Sequence, residues 1–84
     1  MPDSRPQYRL AFGSDVDRDG VFLELSREEA GASFSIIEIF RSDADGRITV
    51  TSQSEPIPSD WFAHLLEQVG TDLLRRPLDR RGGK

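Results

Sequence analysis

The run Ser33-Phe34-Ser35-Ile36-Ile37-Glu38-Ile39-Phe40-Arg41 is the most apolar stretch of the chain. It is rich in β-branched and aromatic residues and contains neither Gly nor Pro, so we predict a β-strand. Its large apolar residues fall on both parities, with Phe34, Ile36 and Phe40 on one and Ile37 and Ile39 on the other. Because alternate strand residues point to opposite faces of a sheet, both faces of this strand need cover.

Three further segments alternate apolar and polar residues, as half-buried antiparallel strands do. They are residues 7–13, 21–26 and 47–51. The polar stretches 14–20 and 27–32 are predicted to connect the first three strands. The sequence therefore predicts an antiparallel meander of four strands.

The turn Asp43-Ala44-Asp45-Gly46 leaves two registers open for the second hairpin. A three-residue loop places Phe34, Ile36 and Phe40 on the core face, which leaves Ile37 and Ile39 on the far face. A four-residue loop swaps the two sets, since a shift of one residue moves every side chain to the other face. Either register exposes apolar side chains.

A single helix is predicted from Asp60 to about Arg75, with Ser59 or Asp60 as the N-cap. Gly70 lies inside it, so we expect a bend or fraying there, because Gly costs about 1 kcal/mol relative to Ala in a helix. Pro77 ends the pattern. The apolar residues at helical spacing are Phe62, Leu65, Leu66, Val69 and Leu73.

The predicted fold is α+β, a four-stranded antiparallel β-meander followed by one C-terminal α-helix packed on one face (β-β-β-β-α). Residues 7–76 are expected to form a single domain, with a flexible N-terminus at 1–6 and a flexible basic tail at 77–84. One helix covers one face of the sheet only. The other face is then an uncovered apolar surface of the kind that usually marks a binding site.

Charge is distributed unevenly along the 84 residues. Residues 1–74 hold six Arg and fourteen Asp or Glu, a balance of −8, and residues 75–84 hold five basic residues and one Asp, a balance of +4. An acidic body disfavours nucleic-acid binding, because that affinity comes largely from cations that replace condensed counterions. The absence of cysteine excludes disulfides and thiolate zinc sites. No membrane span or secretory signal is evident, so we expect a cytoplasmic protein.

Residues 15–22 resemble the start of an EF-hand calcium loop. Asp15, Asp17 and Asp19 stand at its first, third and fifth positions, and Gly20 stands at the sixth. Position twelve, which should be a bidentate Glu, is Ser26, and the flanks alternate as strands. We therefore expect a polar hairpin loop and no metal site, with these three carboxylates as the weak candidate.

The C-terminal sequence Arg80, Arg81, Gly82, Gly83 is similar to the tail of ubiquitin-like modifiers. That resemblance implies conjugation through Gly83 after removal of Lys84. The body departs from that family, because the helix follows all four strands instead of lying between two strand pairs. A second resemblance, in element order alone, is to the PUR repeat of single-stranded nucleic-acid-binding proteins, which implies binding of bases on the open sheet face.

No P-loop, dinucleotide fingerprint, nucleophile elbow or paired-carboxylate pattern is present, so we expect neither an enzyme nor a cofactor. The function we expect is a small acidic protein–protein interaction module that binds itself, as a homodimer, or a partner protein through the uncovered sheet face. The predicted partner-binding residues are Phe22, Ile37, Ile39, Arg9, Arg41, Arg47, Thr49 and Thr51.

Overall fold

The computed structural model describes residues 7–75, which form four β-strands followed by a helix. The elements are β1 (Gln7–Asp15), β2 (Gly20–Glu29), β3 (Ala32–Ser42), β4 (Ile48–Ser52) and α1 (Ser59–Gln68), which continues as a π-helical segment (Val69–Leu74). The predicted helix is confirmed to within a residue at each end. The change from α to π geometry falls at Val69, next to Gly70, where the sequence predicted an irregularity.

The four strands form one antiparallel sheet in the order β1-β2-β3-β4. This confirms the predicted β-β-β-β-α fold. The helix packs on one face of the sheet, which we call the covered face, and the opposite face is the open face. Strands β1 and β4 are the two edges of the sheet.

The core lies between the centre of the sheet and the helix. Val21 and Leu23 of β2 and Ile39 of β3 pack with Leu65 of α1 and Leu73 of the π-helical segment. Both of these leucines are fully buried. The apolar stripe of the helix therefore meets the two central strands, and burial of these side chains supplies most of the free energy that joins the two layers.

Arg41 lies buried on the covered face and fastens the end of the helix to the sheet. Its Nη1 donates a hydrogen bond of 2.7 Å to the carbonyl oxygen of Leu73. The last carbonyls of a helix have no partner within it, so this contact satisfies one of them in a buried position. Arg41 was predicted on the open face, and that placement was wrong.

A β-bulge at Ile36 explains why β3 is apolar on both parities. Leu25 pairs with Ile37 and Ser26 pairs with Ser35, so Ile36 is an extra residue opposite no partner. An extra residue reverses the alternation of side chains along a strand. Phe34 and Ile37 therefore lie on the same, covered face although they differ in parity.

The second hairpin has the four-residue loop. The N–H of Ser42 donates to the carbonyl of Arg47 at 2.9 Å, and Phe40 pairs with Thr49. Gly46 closes the loop with a φ of 74°, a conformation that favours glycine. This register places Ile37 and Ile39 on the covered face and Phe40 on the open face. The three-residue alternative is not formed.

A polar connection was predicted over residues 27–32, but the structure has a tight hairpin there. Strands β2 and β3 run to Glu29 and from Ala32, so that only Ala30 and Gly31 form the turn. Their φ values are 52° and 81°, both left-handed. Two left-handed residues give the turn whose twist matches that of the flanking strands. The pattern was missed because Ala at the first position is unusual, costing roughly 1–2 kcal/mol there.

Candidate functional site

Arg18, in the loop between β1 and β2, folds back over the open face and holds Glu38. Its Nη1 and Nη2 donate to the two carboxylate oxygens of Glu38 at 3.1 and 3.0 Å. Its Nε donates to Oδ2 of Asp15 at 2.6 Å. Glu38 stands directly opposite Glu24 across the strands, a like-charge pair that is destabilising by itself. The bidentate bond from Arg18 neutralises one of these two charges.

The same guanidinium covers Phe40, the one large apolar side chain that the open face buries deeply. The Cζ of Arg18 lies 4.1 Å from the centre of the Phe40 ring, a cation–π contact. The other side of the ring rests on Gly20, where a Cβ atom would lie 2.5 Å from the ring. Phe40 is only 6% exposed as a result. The open face is therefore covered locally by a side chain and a glycine, without a second helix.

Phe22, which pairs with both Gly13 and Phe40, also lies on the open face. Its ring crosses Gly13, where a Cβ atom would lie 2.7 Å from the tip of the ring. Both aromatic rings on this face thus lie over glycines, which lowers their exposure to solvent. The large apolar patch expected on the open face is absent among the residues that the structure describes.

The predicted partner-binding residues do not form one surface. Phe22, Arg9, Thr49 and Thr51 lie on the open face, and Arg47 follows the loop that leads into β4. Ile37, Ile39 and Arg41 lie on the covered face, and their placement on the open face was wrong because the loop has four residues. Ile39, which is 7% exposed, belongs to the core.

The carboxylates of the loop that resembles an EF-hand do not converge. Oδ1 of Asp15 accepts hydrogen bonds from the backbone N–H groups of Asp17 and Arg18, at 3.1 and 3.2 Å, and Oδ2 accepts from the Arg18 side chain. This Asp therefore closes its own turn. No group of three or more His, Asp or Glu within residues 7–75 is placed to hold a metal ion.

We expect Asp15 to stabilise the fold above about pH 4 and to lose that effect in acid. Side-chain and then backbone hydrogen bonds from Arg18 lower the pKa of Asp15 below its usual 3.8. A carboxyl with a lowered pKa in the folded state stabilises it above the unfolded pKa, and the effect disappears as the pH falls through the folded pKa. Denaturant unfolding of the wild type and Asp15→Asn at about pH 7 and pH 2 tests this. The difference in free energy of unfolding should shrink at the lower pH, and an equal difference would contradict the assignment.

A shallow pocket is lined by Asp60, Trp61 and His64, near the start of the helix. The Trp61 ring packs edge-on against His64, with 5.7 Å between centroids, and lies 5.9 Å from the Tyr8 ring of β1. These rings pack together on the side of the helix that faces β1 and cover it. His64 is exposed.

Four exposed apolar side chains lie on the other side of the helix, toward β4. Ile48 and Val50 stand on the covered face of β4, where they pair with Arg41 and Ile39. Helical spacing places Phe62 and Leu66 on the flank opposite His64. We call these four residues the apolar strip, and their exposed fractions, in chain order, are 39, 57, 44 and 53%. Phe62 and Leu66 belong to the apolar pattern predicted for the helix, yet both remain largely exposed.

Strand β4 has an unpaired outer edge within the part of the chain that the structure describes, and all five of its residues are exposed. Backbone bonds join Ser42 to Arg47 and Gln53 to Ile36, at 2.9 and 2.8 Å. In an antiparallel pair the residues between such bonded positions turn their N–H and C=O groups the other way. These outward-facing groups belong to Ile48, Val50 and Ser52.

No protein-family model, no curated protein sequence and no solved structure matches the chain. Across residues 7–75 no helix is both long and apolar enough to cross a membrane. The tail residues Arg80, Arg81, Gly82 and Gly83 lie outside the described residues, as do the segments 1–6 and 77–84 that were expected to be flexible.

Proposed function

We propose that this chain is a small, non-enzymatic protein–protein interaction module that binds through the outer edge of β4 and the apolar strip beside it. One observation carries this proposal. An exposed edge strand without any charged residue carries two exposed apolar side chains, and two more lie on the flank of the helix that faces this edge. Exposed apolar surface on the order of a few hundred Å² is typical of binding sites.

Edge strands are normally protected against pairing with other chains by charged side chains, Pro, bulges or a covering element. The β1 edge has such protection, since Arg9 forms a salt bridge with Glu28 at 3.0 Å and Asp15 holds Arg18. The sequence of β4, Ile48-Thr49-Val50-Thr51-Ser52, contains no charge, Pro or Gly. Its N–H and C=O groups can therefore accept an added strand, and the apolar strip can contact that strand's side chains.

Protein is favoured over nucleic acid as the partner because each cation of the open face, Arg9, Arg18 and Arg47, has a carboxylate partner. Arg9 pairs with Glu28, and Arg18 pairs with Glu38 and Asp15. Residues 7–75 hold six Arg and thirteen Asp or Glu, a net charge of −7. Such a surface repels a phosphate backbone, so the PUR-like reading gains no support from these contacts.

We expect Val50→Lys to abolish binding while leaving the fold intact, because Val50 is 57% exposed in the monomer and would bury its new charge in a complex. The measurement is affinity capture from an extract of the cells that make the protein, with the full chain immobilised. Wild-type protein should retain a defined protein, whether further copies of the chain or another protein.

Ser14→Lys is the matched control, since it adds the same charge at an exposed position of the opposite edge, β1. Capture should persist with this variant and disappear with Val50→Lys, and both variants should keep the wild-type circular dichroism. Absence of any captured protein together with a monomeric mass of the wild type at about 1 mM, or capture that Val50→Lys leaves unchanged, would overturn the proposed function.

A further inference from the structure

We infer that the occupant of the β4 edge is a second copy of this chain, paired antiparallel through β4 about a two-fold axis at Val50. This inference rests on the proposed function and specifies its partner. The dimer has one continuous sheet of eight strands, in which the two β4 strands meet at the centre. Three properties of β4 favour a second copy over a different protein.

The first property is the backbone geometry. The outward N–H and C=O groups belong to Ile48, Val50 and Ser52. Antiparallel pairing about Val50 places Val50 opposite Val50 of the second copy and Ile48 opposite Ser52. Each of these pairs consists of two residues with outward-facing groups. All three pairs therefore form complete hydrogen-bonded pairs, with no outward group of these residues left over.

The second property is the symmetry of the side chains. Val50 is flanked by Thr49 and Thr51, so the three central residues read the same in both directions from the axis. Antiparallel pairing sets Thr49 opposite Thr51 of the second copy on the open face, and Thr–Thr pairs across strands are favourable. On the covered face the two Val50 side chains meet. The centre of this strand is therefore complementary to itself in an antiparallel pair.

The third property is charge. Residues 7–75 carry a net charge of −7, so two copies repel each other wherever their carboxylates meet. Strand β4 is the one strand without an ionisable residue, whereas β1 carries Arg9 and Asp15. A different partner would ordinarily be selected by charged residues at the interface. This edge offers none, which suits a self-complementary contact.

A two-fold axis normal to the sheet keeps both helices on the same side. The apolar strips of the two copies then face each other across the central pair of strands. The Ile48 and Val50 side chains of the two copies meet at the seam, between the helix flanks that carry Phe62 and Leu66, which lowers the exposure of this apolar surface to water. The interface is small, below the roughly 1,200 Å² of standard complexes, so we expect a dissociation constant in the micromolar range or weaker.

The test uses the absence of cysteine in the chain. Thr49→Cys and Thr51→Cys are prepared separately, one of them ¹⁵N-labelled, and are oxidised with glutathione alone and as an equimolar mixture. In the proposed register the Cα atoms of 49 and 51 across the axis are about 4.5 Å apart, as in a non-hydrogen-bonded pair. That separation permits a disulfide. The two Cα atoms of residue 49, or the two of residue 51, are about 7–8 Å apart across the axis, which is too far for a disulfide.

We expect mixed-mass disulfide dimers in at least about tenfold excess over either same-variant dimer, and light scattering of the wild type should show mass rising toward a dimer between about 10 μM and 1 mM. Same-variant dimers in equal yield, no cross-linking, or a monomeric mass throughout that range would each overturn the inference. The proposed function is judged separately, because capture of a different protein that depends on Val50 would support it even where the second copy is excluded.

Discussion

Gly20→Ala is expected to lower the free energy of unfolding by about 3 kcal/mol or more, because the substitution forces backbone atoms apart. A Cβ atom at this position would lie 2.2 Å from the carbonyl oxygen of Arg41 and 2.5 Å from the Phe40 ring. The ring is confined between Gly20 and the Arg18 guanidinium and has no space into which to move. Strands β2 and β3 would have to separate at the end where the first loop crosses the open face.

Gly70→Ala is the matched control, since a Cβ atom there meets nothing within 4 Å. We expect this change to leave stability unchanged or to raise it by up to about 1 kcal/mol, because Ala favours helix over Gly. Denaturant unfolding followed by circular dichroism measures both variants. Equal stability of Gly20→Ala and the wild type would contradict the close packing of Phe40 against Gly20.

Leu65→Ala is expected to cost about 2–5 kcal/mol, the range for a buried Leu that leaves a cavity. The Leu65 side chain is fully buried and packs with Leu23 and Ile39 at the centre of the core. A domain of this size has only about 5–10 kcal/mol of stability in total, so this variant should be partly unfolded at ambient temperature.

Leu66→Ala, one residue further on, distinguishes the contribution of the apolar strip from that of the core. Leu66 is 53% exposed, so its truncation should cost less than about 1 kcal/mol in the monomer. It should, however, weaken self-association at least about threefold, because the proposed dimer places Leu66 beside the seam. Thermal unfolding and light scattering of both variants test this contrast. A loss of stability from Leu66→Ala as large as that from Leu65→Ala would contradict the placement of the helix.

The strands and the helix were predictable because their signal is local. Alternation along β1 and β2, and helical spacing from Phe62 to Leu73, require only the periods of 2.0 and 3.6 residues. The order of the elements and their short connections then restrict the topology to a meander. The fold class could therefore be derived without knowledge of any contact between distant residues.

The sequence did not predict which β3 side chains lie on which face of the sheet, because this depends on two features of one residue each. The bulge at Ile36 reverses the alternation within the strand, and the fourth loop residue reverses the register of β3 against β4. Each of these features moves a whole set of side chains to the other face. The candidate anchors Ile37 and Ile39 were misplaced for this reason.

The apolar strip was not predicted as the site, although the sequence contains the information: the single predicted helix is too narrow to cover all four predicted strands. A helix is about 10 Å wide and strands lie about 4.8 Å apart, so one helix covers about two strands of a four-stranded sheet. The apolar residues of the edge strands must then remain partly exposed, as Ile48 and Val50 are. The cover of the open face by Arg18, in contrast, is a long-range contact that no local pattern signals.

The most direct test of the account is amide hydrogen exchange, measured residue by residue by NMR at about 10 μM and about 1 mM protein. In the monomer the N–H groups of Ile48, Val50 and Ser52 point away from β3, whereas those of Thr49 and Thr51 point toward it. We predict that the first three become protected at the higher concentration, by at least about tenfold, while Thr49 and Thr51 change little. Exchange of β4 that is the same at both concentrations, or protection that appears along β1 instead, would contradict it.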